Sequence, residues 1–246
     1  MSIDTNTIRL IHGDCLTYMK QMQDDCVDCV VTSPPFNLMG QYSNKTQLAQ
    51  SFPKKRLSQW YADAMNEIEY QAWQREILTE LTRVCRGVIF YNHQVRYAWG
   101  RKGEWYHPVH WLNGFVVWCE IIWNRGMGIS GVKRPVIAEQ RIYMLGKPKI
   151  YHNIGLTNVW NIAPERRAAH VCPLPIQVYK NCIAMVTREG DIVFDPFMGT
   201  GNGALAAISM NRKFVGCELR NRYLQIARRR ISSASKQNVQ IEMERV

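Results

Sequence analysis

The sequence predicts an α/β fold built on a mostly parallel sheet, and three observations carry that expectation. Apolar, β-branched runs alternate with segments of helical period, the pattern left by strands joined through crossover helices. One run, Ile192-Val193-Phe194-Asp195, leads into a glycine turn and then a helical segment. The 246 residues suit one domain with a sizeable core and would cramp two.

Taken in order, the expected strands are Val27–Val31, Val88–Tyr91, Val116–Trp123, Arg141–Leu145, Ile192–Asp195 and Phe214–Glu218, each a run of β-branched, aromatic or other apolar residues. The expected helices are Asp63–Cys85, Gln177–Val186, Asn202–Asn211 and Arg220–Ser232. In the last, Tyr223, Ile226, Ala227 and Ile231 recur at helical spacing, while Arg222, Arg228 and Arg229 fall elsewhere on the wheel as a solvated face. Two stretches lack clear periodicity, Leu38–Gln59 and Gly126–Glu139. Long irregular segments in a compact domain are commonly functional, so residues 38–59 and 126–167 are expected to be insertions on a single domain, 1–246. Their charges, Lys54, Lys55, Arg56, Lys133 and Arg134, suit a phosphate backbone, although solvated surface is the commoner fate of lysine and arginine.

Composition narrows the classes. With 46% hydrophobic and 11% aromatic residues the chain has ample surface to bury, which excludes a disordered chain. No run of about 20 apolar residues is present, so no membrane span is expected. Met1-Ser2-Ile3-Asp4-Thr5 lacks a basic start followed by an apolar stretch, so a cytoplasmic location without a secretory signal is expected. The eight cysteines are then expected to be reduced and mostly buried; Cys26 and Cys29 form a solitary C-x-x-C without a second pair to complete a metal site. Lys+Arg 31 against Asp+Glu 20 gives a formal net charge of +11. A basic surface attracts a polyanion through counterion release, but charge alone does not separate nucleic-acid enzymes from merely basic proteins.

The strongest local signal is Asp195-Pro196-Phe197-Met198-Gly199-Thr200-Gly201-Asn202-Gly203-Ala204, where glycines let the backbone turn sharply and approach a ligand. Gly199-x-Gly201-x-x-Ala204 also satisfies the dinucleotide fingerprint. Electrostatics separates the two readings. Asp195 at the strand end would repel a pyrophosphate but attract an ammonium group, and S-adenosylmethionine carries an ammonium, a sulfonium and no phosphate. Glu218, ending the next strand, lies near the ~20-residue offset at which an acidic residue accepts from ribose hydroxyls in either cofactor.

The second signal is Ser33-Pro34-Pro35-Phe36, again after an apolar strand. Two prolines fix the backbone and remove two N–H donors, which holds carbonyls outward as acceptors. Ser33 and the Pro34 carbonyl could accept both hydrogens of an exocyclic amino group while the base stacks on Phe36.

This pair of motifs resembles the DNA methyltransferases that modify exocyclic amino groups, and the order, with Ser33-Pro34-Pro35-Phe36 before Asp195-Pro196-Phe197-x-Gly199-x-Gly201, resembles their β class. The resemblance implies a Rossmann-like fold with helices on both faces, a circularly permuted motif order, S-adenosylmethionine as methyl donor and double-stranded DNA as substrate. It implies that Asp14, in Ile11-His12-Gly13-Asp14-Cys15, contacts the cofactor's adenine, and that Asp195, Phe197, Gly199, Thr200, Gly201 and Glu218 surround the cofactor. Glu120-Ile121-Ile122-Trp123-Asn124-Arg125 resembles the strand motif near the flipped base. His170-Val171-Cys172-Pro173-Leu174-Pro175 resembles the segment closing over the methionine end, which would place His170 and Pro173 there; it departs from the family's pattern at Val171 and Ile176. A homodimer is implied by the family alone.

In the family a Ser before Pro-Pro is typical of cytosine N4 enzymes and an Asp there of adenine N6 enzymes; Asn37-Leu38 after the aromatic resembles many adenine enzymes instead. Cytosine N4 is favoured and adenine N6 stays open. So do an RNA amino-methyltransferase, a nicotinamide-dependent oxidoreductase on the same glycine turn and an idle nucleic-acid-binding scaffold.

Overall fold

The computed structural model describes residues 7–38, 65–97, 105–131, 134–147, 155–165, 173–234 and 240–246. In chain order the elements are β1 (Thr7–His12), α1 (Cys15–Met19), β2 (Val27–Thr32), α2 (Glu67–Val84), β3 (Cys85–His93), β4 (Arg96–Tyr97), β5 (Trp105–Tyr106) and α3 (Val109–Leu112). They continue as β6 (Val117–Gly131), β7 (Arg134–Gly146), β8 (Val159–Asn161), α4 (Ile176–Val186), β9 (Ile192–Asp195), α5 (Asn202–Ile208), β10 (Lys213–Glu218), α6 (Asn221–Ala234) and β11 (Gln240–Arg245).

A nine-stranded sheet in the order β11-β1-β10-β9-β2-β3-β7-β6-β8 forms the frame. The strands from β11 to β3 are mutually parallel, and β7 runs antiparallel to both β3 and β6. Helices cover both faces of this frame. On one, α4, α5 and α6 pack Val178, Tyr179, Cys182, Ala204, Ala207, Ala227 and Ile231 onto Val31, Phe90, Val193 and Phe214. On the other, α1, α2 and α3 pack Met19, Ile77, Leu81 and Trp111 onto Val30, Ile89, Phe194 and Val215. Burial on both faces is why β2, β9 and β10 read as continuous apolar runs rather than alternating ones. The Rossmann-like expectation therefore holds.

The helices follow their sequence pattern closely. Along α2, Tyr70, Gln74, Ile77, Leu78, Leu81 and Val84 are buried at helical spacing, and the N-cap Asn66 side chain accepts from the Ile68 N–H. In α6 the buried stripe is Tyr223, Leu224, Ala227 and Ile231, with Arg222, Arg228 and Arg229 exposed.

The stretch Gly126–Glu139 departs from the expected irregular loop, because β6 and β7 run through it as antiparallel partners up to Gly131 and Arg134. Glycine here serves the sheet. A Cβ on Gly128 would stand 2.0 Å from the Ile137 carbonyl oxygen, and the register shifts between Asn124 and Ile129, so glycine permits the close approach at an irregular ladder. Residues 159–161 of the same expected insertion pair with β6 as β8. Seven described cysteines are free, five of them buried, and no group of three metal-ligating side chains occurs among the described residues. Among these residues no helix is long and apolar enough to cross a membrane.

Successive parallel strands move apart at the centre: β9 passes through α5 to β10 on one side, and β2 passes through α2 to β3 on the other. The β9/β2 boundary is thus the switch point, the place beyond the carboxyl ends of the strands where open α/β sheets bind ligands. Glu218, Asp195 and Thr32-Ser33 lie at those ends.

Candidate active site

The glycine turn between β9 and α5 commits four of its N–H donors inside the protein. The Phe197 N–H donates to Asp195 Oδ1 at 3.0 Å, Met198 to the Cys217 carbonyl at 3.0 Å, and Gly201 to the Met198 carbonyl at 3.0 Å. The Gly199 N–H faces the Glu218 carboxylate. Gly199 and Gly201 hold φ of 55° and 85°, the left-handed conformations that a tight turn of this kind demands. Arg230 of α6 closes the turn from below, donating to the Thr200 carbonyl at 2.6 Å.

Acceptors dominate what remains. Glu218, half-buried at the end of β10, accepts from the Arg220 N–H at 2.8 Å. Burial pushes its carboxyl up to about 7, against the opposing pull of those backbone N–H groups. Asp195 is fully buried, and burial pushes it up to about 6 even though Tyr179, Phe197 and Thr32 all donate to it. Asn202 commits its amide Nδ2 to the Leu174 carbonyl and Glu165 Oε2, at 2.9 and 3.1 Å, and its buried Oδ1 has no hydrogen-bond partner among the described residues. A ligand carrying cationic and donor groups meets this set well. A pyrophosphate would meet the Asp195 and Glu218 carboxylates at these strand ends, so the residues fit S-adenosylmethionine better than a dinucleotide.

The Ser33-Pro34-Pro35-Phe36 segment leaves the end of β2 and is pinned from behind. The Tyr70 hydroxyl lies 2.6 Å from the Pro35 carbonyl and 2.6 Å from His93 Nε2, and Gln74 Nε2 donates to that hydroxyl at 2.7 Å. His93 Nδ1 faces the Gln94 carbonyl at 2.8 Å. A carbonyl only accepts, so Nδ1 carries the proton of a neutral ring and Nε2 is an acceptor; the single Tyr70 proton goes to the Pro35 carbonyl or to Nε2, not to both. Burial, then Arg96, pushes the imidazolium form out of reach. Tyr91 extends the chain by donating to Gln74 Oε1 at 2.7 Å, and Trp111 donates to Tyr91 at 2.9 Å. The Pro35 carbonyl is therefore turned inward and engaged, a correction to the expectation that the prolines hold their carbonyls outward. Pro34 differs: no hydrogen bond reaches its carbonyl among the described residues. Phe36 is buried with its ring centroid 4.6 Å from that of His93, so His93 contributes to the platform expected of Phe36 alone.

Two contacts join the segments. Thr32 donates to Asp195 Oδ1 at 2.8 Å, across the β2/β9 boundary, and Tyr179 of α4 donates to Oδ2 at 2.6 Å. Trp73 of α2 packs edge-on against Phe197 at 5.7 Å.

Other expected site residues fall as follows. Asp14 is exposed just beyond β1 and caps α1, accepting from the Thr17 N–H at 2.9 Å; the neighbouring His12 pairs in register with Glu218. Pro173 opens the segment that Asn202 ties to the glycine turn through Leu174. Lys54, Lys55, Arg56, Lys133 and His170 lie outside the described residues; Arg134 begins β7, and its side chain is likewise outside them. Sequence reasoning missed Thr32, Tyr179, Tyr70, His93 and Asn92. Thr32 stands directly before Ser33 and had a positional signal; the others come from helices and a strand whose spacing reports burial and nothing more.

A family model described as DNA methylase matches residues 27–229. The chain is 25% identical to the type II methyltransferase M.Cfr9I of Citrobacter freundii, covering 93% of this chain and 89% of that protein. It is 22% identical to the DNA adenine methyltransferase YhdJ of Escherichia coli, covering 92% and 83%. In structure it is similar to the Thermus thermophilus protein TTHA0409 complexed with S-adenosyl-L-methionine, with a TM-score of 0.70 at 20% identity over 97% of this chain and 98% of that one. It is also similar to the cytosine-N4-specific PvuII DNA methyltransferase, with a TM-score of 0.68 at 14% identity over 97% and 96%.

Proposed function

Because the chain belongs to the N4-cytosine/N6-adenine DNA methylase family, we propose that it methylates the exocyclic amino nitrogen of a base flipped from double-stranded DNA, cytosine N4 before adenine N6. The observation that carries this reading is the placement of two acceptors, Ser33 Oγ and the Pro34 carbonyl, one and two residues from a buried hydrogen bond to the cofactor turn. S-adenosylmethionine supplies an electrophilic methyl group on sulfur.

The chain's own residues make the amino nitrogen receptive. Its lone pair is delocalised into the ring, and acceptors on both N–H bonds favour a tetrahedral nitrogen with the pair directed outward, an effect strongest where water is excluded. Ser33 and Pro34 serve as those acceptors. His93 and Phe36 offer the stacked floor, and the Tyr70–Gln74–Tyr91–Trp111 chain keeps the floor from moving. The Thr32 bridge to Asp195 holds acceptor and donor sites at a fixed spacing, which is where much of the acceleration arises. Serine is a weak base, so the extra proton leaves from the acidic cationic product after transfer. A paired base cannot reach such a pocket, hence the flipping.

Phosphate contacts through Lys54, Lys55, Arg56, Lys133 and Arg134, a homodimeric assembly and a cytoplasmic location belong to the same proposal. The deciding experiment incubates the protein with S-adenosylmethionine and mixed-sequence DNA, digests to nucleosides and identifies the product by mass spectrometry. N4-methylcytosine is expected. N6-methyladenine would keep the mechanism and overturn the base assignment, and methylation of RNA alone would overturn the substrate.

A further inference from the structure

Beside the Ser33 hydroxyl stands Asn92, buried to 1% exposure near the end of β3. Ser33 Oγ lies 3.0 Å from Asn92 Oδ1, and Asn92 Nδ2 lies 3.0 Å from the Arg141 carbonyl of β7. These two contacts fix every proton. A backbone carbonyl only accepts, so the amide must turn Nδ2 toward Arg141; that leaves Oδ1 facing Ser33, and an amide oxygen only accepts, so the serine must donate. The Ser33 hydroxyl has one hydrogen, and it is committed to Asn92.

We propose that Asn92 is a positioning residue that takes up the single proton of Ser33 and so presents the serine oxygen to the substrate as an acceptor only. The inference rests on the amino-methyltransferase reading. A free serine hydroxyl rotates and can offer its own proton to the target amine, which would draw on the lone pair needed for attack. With that proton held by Asn92, both remaining lone pairs point elsewhere. An amide cannot take the proton away, so Asn92 orients the serine without making it an alkoxide, in agreement with proton loss after transfer. The antiparallel pairing of β3 with β7 is part of the device, because it supplies the Arg141 carbonyl that stops the amide from flipping.

The test is a double-mutant cycle measured under single turnover, with methyl-labelled S-adenosylmethionine and duplex DNA both saturating. Asn92→Leu, of the same branched shape though bulkier, and the smaller Asn92→Ala are each expected to slow methyl transfer about tenfold, leaving the dissociation constant for S-adenosylmethionine unchanged. In a Ser33→Ala background the same substitutions are expected to cost nothing further. Asn92→Asp keeps an acceptor toward Ser33 and, with its other oxygen protonated toward the Arg141 carbonyl, is expected to recover most of the lost rate. Equal losses with and without Ser33, or equal loss in Asn92→Asp and Asn92→Leu, would overturn the inference and leave the function intact. Absence of any methylated base with the unaltered protein would overturn the function and this inference with it, and full activity in Ser33→Ala would remove the serine's role.

Discussion

Thr32 and Asp195, 163 residues apart in sequence, share a buried 2.8 Å hydrogen bond across the switch point of the sheet. The bond lies between the segment that would hold the methyl acceptor and the turn that would hold the donor. Thr32→Val keeps the shape and deletes the donor, leaving Asp195 Oδ1 with only the Phe197 N–H. A buried acceptor deprived of a partner costs about 1–3 kcal/mol, so the urea midpoint is expected to fall by that equivalent with the slope unchanged. Cofactor affinity is expected to fall in the same variant, read by calorimetry. An unchanged midpoint would show that the bond is not maintained in solution.

Ser33 and Asp195 are expected to fail differently. Ser33→Ala removes an acceptor that acts on the reacting nitrogen, so transfer should slow by roughly 10²-fold, by analogy with the loss of one group stabilising developing charge, while cofactor affinity stays. Asp195→Asn removes charge beside the cofactor turn, and about tenfold weaker binding of S-adenosylmethionine is expected. The separation shows in single-turnover rates set against equilibrium dissociation constants; a Ser33→Ala enzyme with weakened cofactor binding and normal transfer would reverse the assignment.

The pH response has a definite sign. Burial raises Asp195 from an ordinary 3.8 to about 6 and Glu218 from 4.5 to about 7. Both are acids whose folded values exceed their unfolded ones, so the fold is favoured with both protonated, and stability falls as pH rises from about 4 to 7. Cofactor binding runs the other way. A cationic ligand prefers the ionised carboxylates, so affinity is expected to rise from about pH 5 to 7, below the range near 8 in which the ligand's own α-amino group titrates. Glu218→Gln is expected to flatten the upper part of that rise, which titration calorimetry at several pH values would show.

How far the sequence carried the fold depends on what each residue run reports. The strand Ile192–Asp195 has the observed ends of β9 because an unbroken apolar run stops at a glycine turn, and both signals mark one boundary. β1 and β11 went unseen: Thr7–His12 mixes Arg9 and His12 among its apolar residues, and Gln240–Arg245 is an edge strand whose polar residues alternate weakly. α1, five residues long, is too short for a periodic signal, and its N-cap is Asp14, the residue that the family resemblance makes a cofactor contact. At the site, Ser33 and Glu218 stand out because Pro-Pro and the glycine turn mark strand ends, where open sheets bind ligands. Tyr179 and Asn92 did not, since a buried aromatic on a helix and a polar residue within an apolar strand signal packing until a third dimension supplies the partner.

Tyr179 also makes the seat of α5 testable. A Cβ on Gly203 would stand 2.9 Å from Tyr179 Cε1 and 3.1 Å from Phe214 Cε2, both in the packed face between α4, α5 and the sheet. Phe214 has no room to yield, being fully buried on β10, so the added methyl would drive the Tyr179 ring outward. That ring carries the hydroxyl donating to Asp195 Oδ2 at 2.6 Å, and its displacement would strip a second donor from a carboxylate already raised by burial. Gly203→Ala is therefore expected to cost about 1–3 kcal/mol of stability by overpacking and to weaken S-adenosylmethionine binding as well. Tyr179→Phe, which keeps the packing and loses only the hydroxyl, should reproduce the binding loss with a smaller stability loss. Thermal unfolding and cofactor titration of the two variants side by side separate the packing effect from the hydrogen bond: equal stability in Gly203→Ala and the unaltered protein would show that the α4–α5 interface is looser than the 2.9 Å approach requires.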